Sequence, residues 1–340
     1  MISNKTIDKN TCLLVTKPYS KKGVRTLHYR FKLATVIALA TTAAAGPVFA
    51  EYPEKPVSFV VPFPPGDVED ILTRMIADNF SEKYGTSAAV VNKPGGGGGP
   101  FPGAIEVAGA AADGYTIGSF VMDVPLVGPL IGIPPLNPNP FEPVGIFVAY
   151  PMVLATLKDA PYQTMDELAA YAQDNKVSLA HFGAQLTPTQ VTFSMASQMG
   201  FSYGSDAAFD AIDCNTFASG DTDVGNTSIQ LLLPCLDDMT ILATLTSDRL
   251  PMTPDVPTVG EIRPELLLGM WNGLFVHKDT PQDVRDKIAV VAAETMQSDQ
   301  AKKFAAQTGA VAYWQSADEA AAQIEADMVV MGTMAEILGQ

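Results

Sequence analysis

Apolar positions change their period several times along this chain, and each change marks an element. Residues 57–61 form a short β-branched run, which fits a buried strand. Pro64, Pro65 and Gly66 then break it, because such residues cannot continue a central strand. From Asp67 the period becomes helical, with Ile71, Leu72, Met75, Ile76 and Phe80 on one face. Asp67, Glu69 and Asp70 occupy its first turn, where the positive helix end favours acids, and Gly85 closes it. Residues 88–91 predict a second strand, followed by Asn92-Lys93-Pro94 and five glycines. Strand, turn, helix, strand opens a βαβ sheet, in which ligands settle at the carboxyl ends of the strands.

The same grammar continues downstream. Asp113-Gly114-Tyr115 is a turn, and residues 116–122 predict a strand with Asp123 at its carboxyl end. Asp123 is there either a helix N-cap or a cleft residue. Residues 128–143, rich in proline, asparagine and glycine, read as a surface connection in a lid or hinge region. Residues 144–155 read as one long strand crossing between domains. Thr164 and Glu167 have capping-box spacing and open a helix to about Asn175. A strand over 177–182, a turn over 183–189 and a helix over 190–199 repeat the opening architecture. Residues 221–230 predict a turn, a short strand and a polar turn, with Asn226 and Thr227 at the strand's end. A further strand is expected over 241–245. Residues 271–276 bring the chain back to the first domain, and helices follow from Pro281, over 300–307 and over 317–338. The last two are expected to pack around the first domain.

Charge changes the picture at the N-terminus. Residues 1–50 hold eight basic residues and one acid, then an Ala-rich apolar run over 33–45 and a small-x-small end at Val48-Phe49-Ala50. This is the pattern of a secretory signal cleaved after Ala50, and the run is too short to span a bilayer comfortably. The basic region is long for a signal, so translation starting near Val24 or Leu27 is expected. Cleavage leaves 13 basic and 36 acidic residues, a formal charge of −23. Such a surface repels nucleic acid and anionic membranes. Cys12 leaves with the signal, and Cys214 and Cys235 remain as an even pair in an exported protein, for which a disulfide is expected, two buried thiols or an unpaired one being the alternative.

Little in the chain points to catalysis. The glycine run at 95–99 is followed by Pro100-Phe101-Pro102 rather than the Lys and Ser or Thr of a phosphate loop. His181 and His277 stand in no metal-ligand spacing with the cysteines. No cofactor, metal or catalytic residue is expected. His181 reads as structural.

Five segments in order carry a resemblance: VPFPPG-x-x-x-D from Val61 to Asp70, NKPGGGGG from Asn92, ADGYTI from Ala112, PDVPTVGE from Pro254 and WNGLFVHKDTP from Trp271. Together they resemble the Bug (TctC-type) family, the solute-binding proteins of tripartite tricarboxylate transporters, over essentially all of the chain after residue 51. The resemblance implies an α/β, two-domain periplasmic-binding-protein-like (type II) fold with a hinge and an interdomain cleft. The expected domains are 51–152 with 268–340, and 153–267. The implied function is capture of a small organic acid in the periplasm and delivery to integral-membrane permease subunits, by a monomer. A ligand sensor for signalling and an exported enzyme on the same fold are the alternatives.

In that family two loops face each other and hold a carboxylate through backbone N–H groups, hydroxyls and water. The matching candidates are Phe63, Pro65, Gly66, Asp67 and Phe101 on one side, with Asp123, Gly183, Gln185, Thr187, Thr189, Asn226 and Thr227 completing the site. The chain also departs from the family's patterns. Asp67 replaces the second glycine of the first loop, the usual histidine of the second loop is absent, and Ser205-Asp206-Ala207 stands for a P-Y-K-G segment. If Asp67 faces the cleft, a di- or tricarboxylate is disfavoured, because like charges about 4 Å apart cost about 4 kcal/mol at intermediate dielectric. The outward orientation is the one expected, and there Asp67 assists the helix start.

Overall fold

The computed structural model describes residues 51–95, 99–209 and 211–339. The expected signal segment 1–50 and the centre of the glycine run, 96–98, lie outside the described residues.

The described chain opens with β1 (Val57–Val61), α1 (Val68–Tyr84), β2 (Ala88–Asn92), α2 (Phe101–Ala108), β3 (Thr116–Val121) and α3 (Asp123–Leu130). β1 runs parallel to both β2 and β3. The apolar stripe of α1 is the reason the helix docks: Leu72, Ile76 and Phe80 are fully buried beside Phe59 and Ile117. Gly85 ends it with φ 65°, a left-handed conformation suited to glycine, and donates its N–H to Ser81 O.

The long apolar run expected as one strand is two, β4 (Phe141–Ala149) and β5 (Met152–Leu157). They belong to different sheets, with the break at Tyr150-Pro151, where Pro151 has no N–H to offer a ladder. The second set of elements is α4 (Met165–Tyr171), β6 (Ser178–His181), α5 (Thr187–Gln198), β7 (Ser205–Ala208), α6 (Cys214–Ala218), β8 (Val224–Ser228), α7 (Ile229–Leu232), β9 (Met239–Thr244) and α8 (Val259–Ile262). The chain returns through β10 (Trp271–His277) to α9 (Gln282–Gln297), α10 (Asp299–Thr308), β11 (Val311–Ser316) and α11 (Ala317–Leu338).

Two mixed sheets result, a six-stranded one in the order β11-β4-β10-β3-β1-β2 and a five-stranded one in the order β7-β6-β8-β5-β9. Each has a parallel trio, and β5 and β10 run antiparallel to their neighbours. Of the four edge strands, β7 and β11 escaped the sequence pattern. β7 is SDAA with every residue exposed, and β11 alternates neither in polarity nor in burial. α11 packs on β4 of the six-stranded sheet and also on helix α5, which itself packs on β8 of the five-stranded sheet.

Two of the resembling segments prove to be architecture. Thr258 and Glu261 form the capping box of α8, with Glu261 also held by Arg249 at 2.9 Å. Gly114 (φ 78°) makes the turn before β3, its carbonyl accepting from Tyr52 Oη at 2.8 Å.

Cys214 and Cys235 are bridged, with Cα atoms 5.9 Å apart and a sequence separation of 21. The bridge ties α6 to the short 3-10 stretch after α7. A closed loop of this length restricts the unfolded chain by about 3 kcal/mol. Removing the bridge in a C214A/C235A variant is expected to lower Tm by roughly 5–10 °C. Equal melting of the variant and the oxidised chain would contradict this.

Candidate functional site

The first wall of the site is the loop between β1 and α1, and its shape is set from behind. Asp70 accepts from the Gly66 N–H at 2.9 Å, from Arg74 through both carboxylate oxygens, and from Asn92 Nδ2 at 2.8 Å. Asn92 Nδ2 also donates to Phe63 O at 3.0 Å. These two residues, the aspartate of the first motif and the asparagine of the second, therefore hold the loop from both ends. Burial opposes ionisation of Asp70, but the bonds from Arg74, Asn92 and Gly66 outweigh it and hold the carboxyl below its usual range.

Asp67 stands at the N-cap of α1 yet makes no capping hydrogen bond, and it lines a cavity between the two sheets. The outward orientation preferred from sequence is thus corrected. Burial, with the charge of Asp70 added, pushes its carboxyl up to about 6. Behind it Glu69 is fully buried, and its Oε2 accepts the Tyr150 hydroxyl while Oε1 has no partner. Burial and the charge of Asp67 push Glu69 up to about 8 against the Tyr150 bond. The acid is therefore mostly protonated at pH 7.

The second wall is the start of α5. Its N–H groups offer the helix-end anion site that the resemblance leads one to expect. That site is already filled. Asp123, buried at the head of α3, crosses to accept the Thr187 N–H at 2.6 Å and the Thr187 hydroxyl at 2.7 Å, both on Oδ1. Pro188 has no N–H, and those of Thr189 and Gln190 go back to Leu186 O at 3.0 Å each. Asp123 thus caps a helix, but one on the other sheet. Burial raises its carboxyl and the two Thr187 bonds oppose that rise. α5 begins three residues earlier than the sequence suggested, since Pro188 suits the first turn of a helix.

Between the walls lies a cavity of ≈ 210 Å³ at the carboxyl ends of β1, β3, β6 and β8 and at the two crossings between sheets. Phe63, Asp67, Asp123 and Thr189 line it as expected from sequence. The other candidates stand elsewhere. Pro65 and Gly66 form the loop's outer part, and Gly66 O is reached by Gln230 Nε2 at 3.4 Å. Phe101 is buried within the core beside Leu136 rather than in the cavity wall. Gly183 and Gln185 lie in the turn before α5 and Thr187 holds Asp123, so none of the three lines the cavity. Asn226 and Thr227 sit inside β8, bonded to Pro188 O at 2.7 Å and Ile212 O at 2.7 Å. The strand runs on to Ser228, and it is Ser228 that meets the cavity.

Several lining residues were missed by sequence reasoning. Tyr150 and Trp271 flank the crossings, where Tyr150 N donates to Met270 O at 2.7 Å. Trp271 is oriented by Asp327 of α11, which accepts its Nε1–H at 2.7 Å. Trp271 opens a segment already singled out, so its position was the available signal; Phe182 and Met152 carried none. His181, in contrast, is structural as read, with Nε2 at 2.9 Å from Asp206 Oδ1. Among the described residues, no group of His, Cys, Asp and Glu is arranged to hold a metal ion, and no helix is long and apolar enough to cross a membrane.

Comparison with known proteins agrees with this architecture. The chain is 29% identical to protein BugT of Bordetella pertussis over 259 residues, 72% of this chain and 77% of that one. It superposes on the periplasmic binding protein BugD with a TM-score of 0.71 at 25% identity, covering 85% of this chain and 98% of BugD. An R. palustris protein solved with adipate gives a TM-score of 0.72 at 24% identity, over 85% of this chain and 99% of that one. The sequence model of the tripartite tricarboxylate transporter family receptor matches residues 72–339, and the chain belongs to that family, TctC.

Proposed function

We propose that this chain is an exported periplasmic receptor that captures one small organic solute in the cleft and delivers it to the integral-membrane permease subunits of a tripartite transporter. One observation carries the reading: a cavity bounded by the strand ends of two sheets that are joined by crossing segments at Tyr150-Pro151 and Met270. Ligands of α/β sheets settle at such strand ends, and crossing segments of this kind permit hinge closure over a solute. The halves proposed to move are residues 51–152 with 268–340, and residues 153–267. Closure over the ligand needs no bond-making chemistry, so the receptor acts by binding alone, as a monomer. The neighbour containing adipate makes a small organic acid the starting expectation for the cargo.

The test is native mass spectrometry of the mature chain, residues 51–340, purified from a periplasmic extract, joined to a thermal-shift screen of acids, amines and neutral solutes. One small molecule per chain is expected, with a Tm rise of roughly 5–11 °C at 100 times its dissociation constant. A chain that carries nothing, and that no solute class stabilises, would overturn the reading.

A further inference from the structure

The cleft is lined by apolar side chains and rings with two acids, Asp67 and Asp123, and among the described residues no lysine or arginine lines it. Arg74, behind the first loop, is engaged by Asp70 and Asn92. The anion position at the start of α5 is held by the chain's own Asp123, and the residues that follow leave no N–H of the first turn for a ligand. A ligand carboxylate would therefore meet Asp67 and Asp123 with no lysine or arginine to offset them, and the start of α1, which also faces the cavity, already carries Asp67 at its N-cap position.

The unsatisfied groups point the other way. Asp67 makes no capping bond and faces the cavity. Ser228 is 5% exposed, lines the same cavity, and its Oγ has no hydrogen-bond partner. A buried hydroxyl left unpaired in a built cavity is a place for a ligand's hydrogen bond. Phe63, Phe182 and Trp271 add apolar faces, and aromatic faces also attract cations.

We propose that the cleft takes a small organic cation, a protonated amine on an apolar aromatic or aliphatic body. The amine's charge is met by Asp67 and Asp123, one of its N–H groups is received by Ser228, and its body lies on the rings. This rests on the cleft being the receptor's solute site, but it reverses the charge of the expected cargo. Burial of Asp67 is tolerable in that case because the ligand supplies the missing counter-charge.

The experiment is calorimetric titration of the mature chain and of D67N at pH 7.5 with phenethylamine, butylamine, 2-phenylethanol, 3-phenylpropionate and adipate. An amine is expected to bind wild type at least tenfold more tightly than either acid and than the alcohol. D67N is expected to bind it at least tenfold more weakly while melting within a few degrees of wild type. Tighter binding of an acid overturns the proposal and leaves the receptor reading intact. Equal binding of amine and alcohol overturns it as well, because charge is then not read. Silence from both amines also counts against it, and the native mass spectrum then decides the receptor reading separately.

Discussion

Replacing Asp123 by alanine is expected to lower Tm of the mature chain by roughly 5–10 °C, and millimolar formate or acetate is expected to restore part of the loss. The carboxylate is buried and receives two hydrogen bonds from Thr187, so its removal leaves an N–H and a hydroxyl without their acceptor. Buried donors left unmade cost about 1–3 kcal/mol each, for a total of about 3 kcal/mol once partial relaxation is allowed. The alanine variant also vacates an anion site at a helix start, which a free carboxylate can enter. Wild type, with the site filled, should show no such response to formate. Asp123→Asn keeps an acceptor oxygen and is expected to lose less than half as much. Thermal melting of the three proteins with and without formate checks this. A variant that melts like wild type, or rescue of wild type to the same extent, would contradict the internal-carboxylate account.

Glu69→Gln is expected to stabilise the chain, and by an amount that depends on pH. The folded-state carboxyl is raised from the ordinary 4.5 to about 8 by burial and by Asp67, so the folded chain keeps a proton that the unfolded chain has released. Stability contributed by Glu69 therefore falls as pH rises from about 4.5 to about 8, and is flat above. Asp67 and Asp70 on the same loop and helix, and Tyr150 from the crossing, are the titratable groups that act on it. Glutamine stays neutral throughout and can still accept the Tyr150 hydroxyl. The difference in stability between variant and wild type should thus be near zero below pH 4.5 and grow to a few kcal/mol by pH 8. Denaturant unfolding at pH 4.5, 6 and 8 measures it. A difference that does not change with pH, or a variant less stable than wild type at pH 8, would contradict the assigned protonation.

Much of this architecture could be read from residue order. The apolar stripe of α1, the Gly85 stop and the helix over 317–338 followed directly from periodicity. Crossing points were harder, because Pro151 splits an apolar run whose two halves look alike yet enter different sheets. Strands β7 and β11 were illegible because their side chains show no core face: β7 is exposed throughout and β11 has no buried residue.

The site was legible by location more than by role. Motif residues such as Asp70, Asn92, Gly114 and Thr258 turned out to shape the loops, while Ser228, Tyr150 and Trp271 meet the cavity. Thr187 looked like a ligand donor, and it is a donor, but to a carboxylate that belongs to the chain. Nothing in the spacing of residues 123 and 187 announces that contact, since it depends on how the two sheets face each other. The direction of Asp67 was open for the same reason: an N-cap position fixes its backbone and leaves the side chain to be decided by burial.

The central claim is that a receptor cleft of this family here presents negative charge to its solute. Its most direct test is the number of protons exchanged when phenethylamine binds at pH 6, measured by calorimetry in two buffers of different ionisation enthalpy. At that pH the ligand stays protonated, whereas Asp67, pushed up to about 6, is half protonated. A cation bound against it lowers the carboxyl's pKa, so a net release of protons is predicted, largely absent in D67N. Proton uptake, or binding with no exchange, would mean that the ligand does not meet this acid and would contradict the claim.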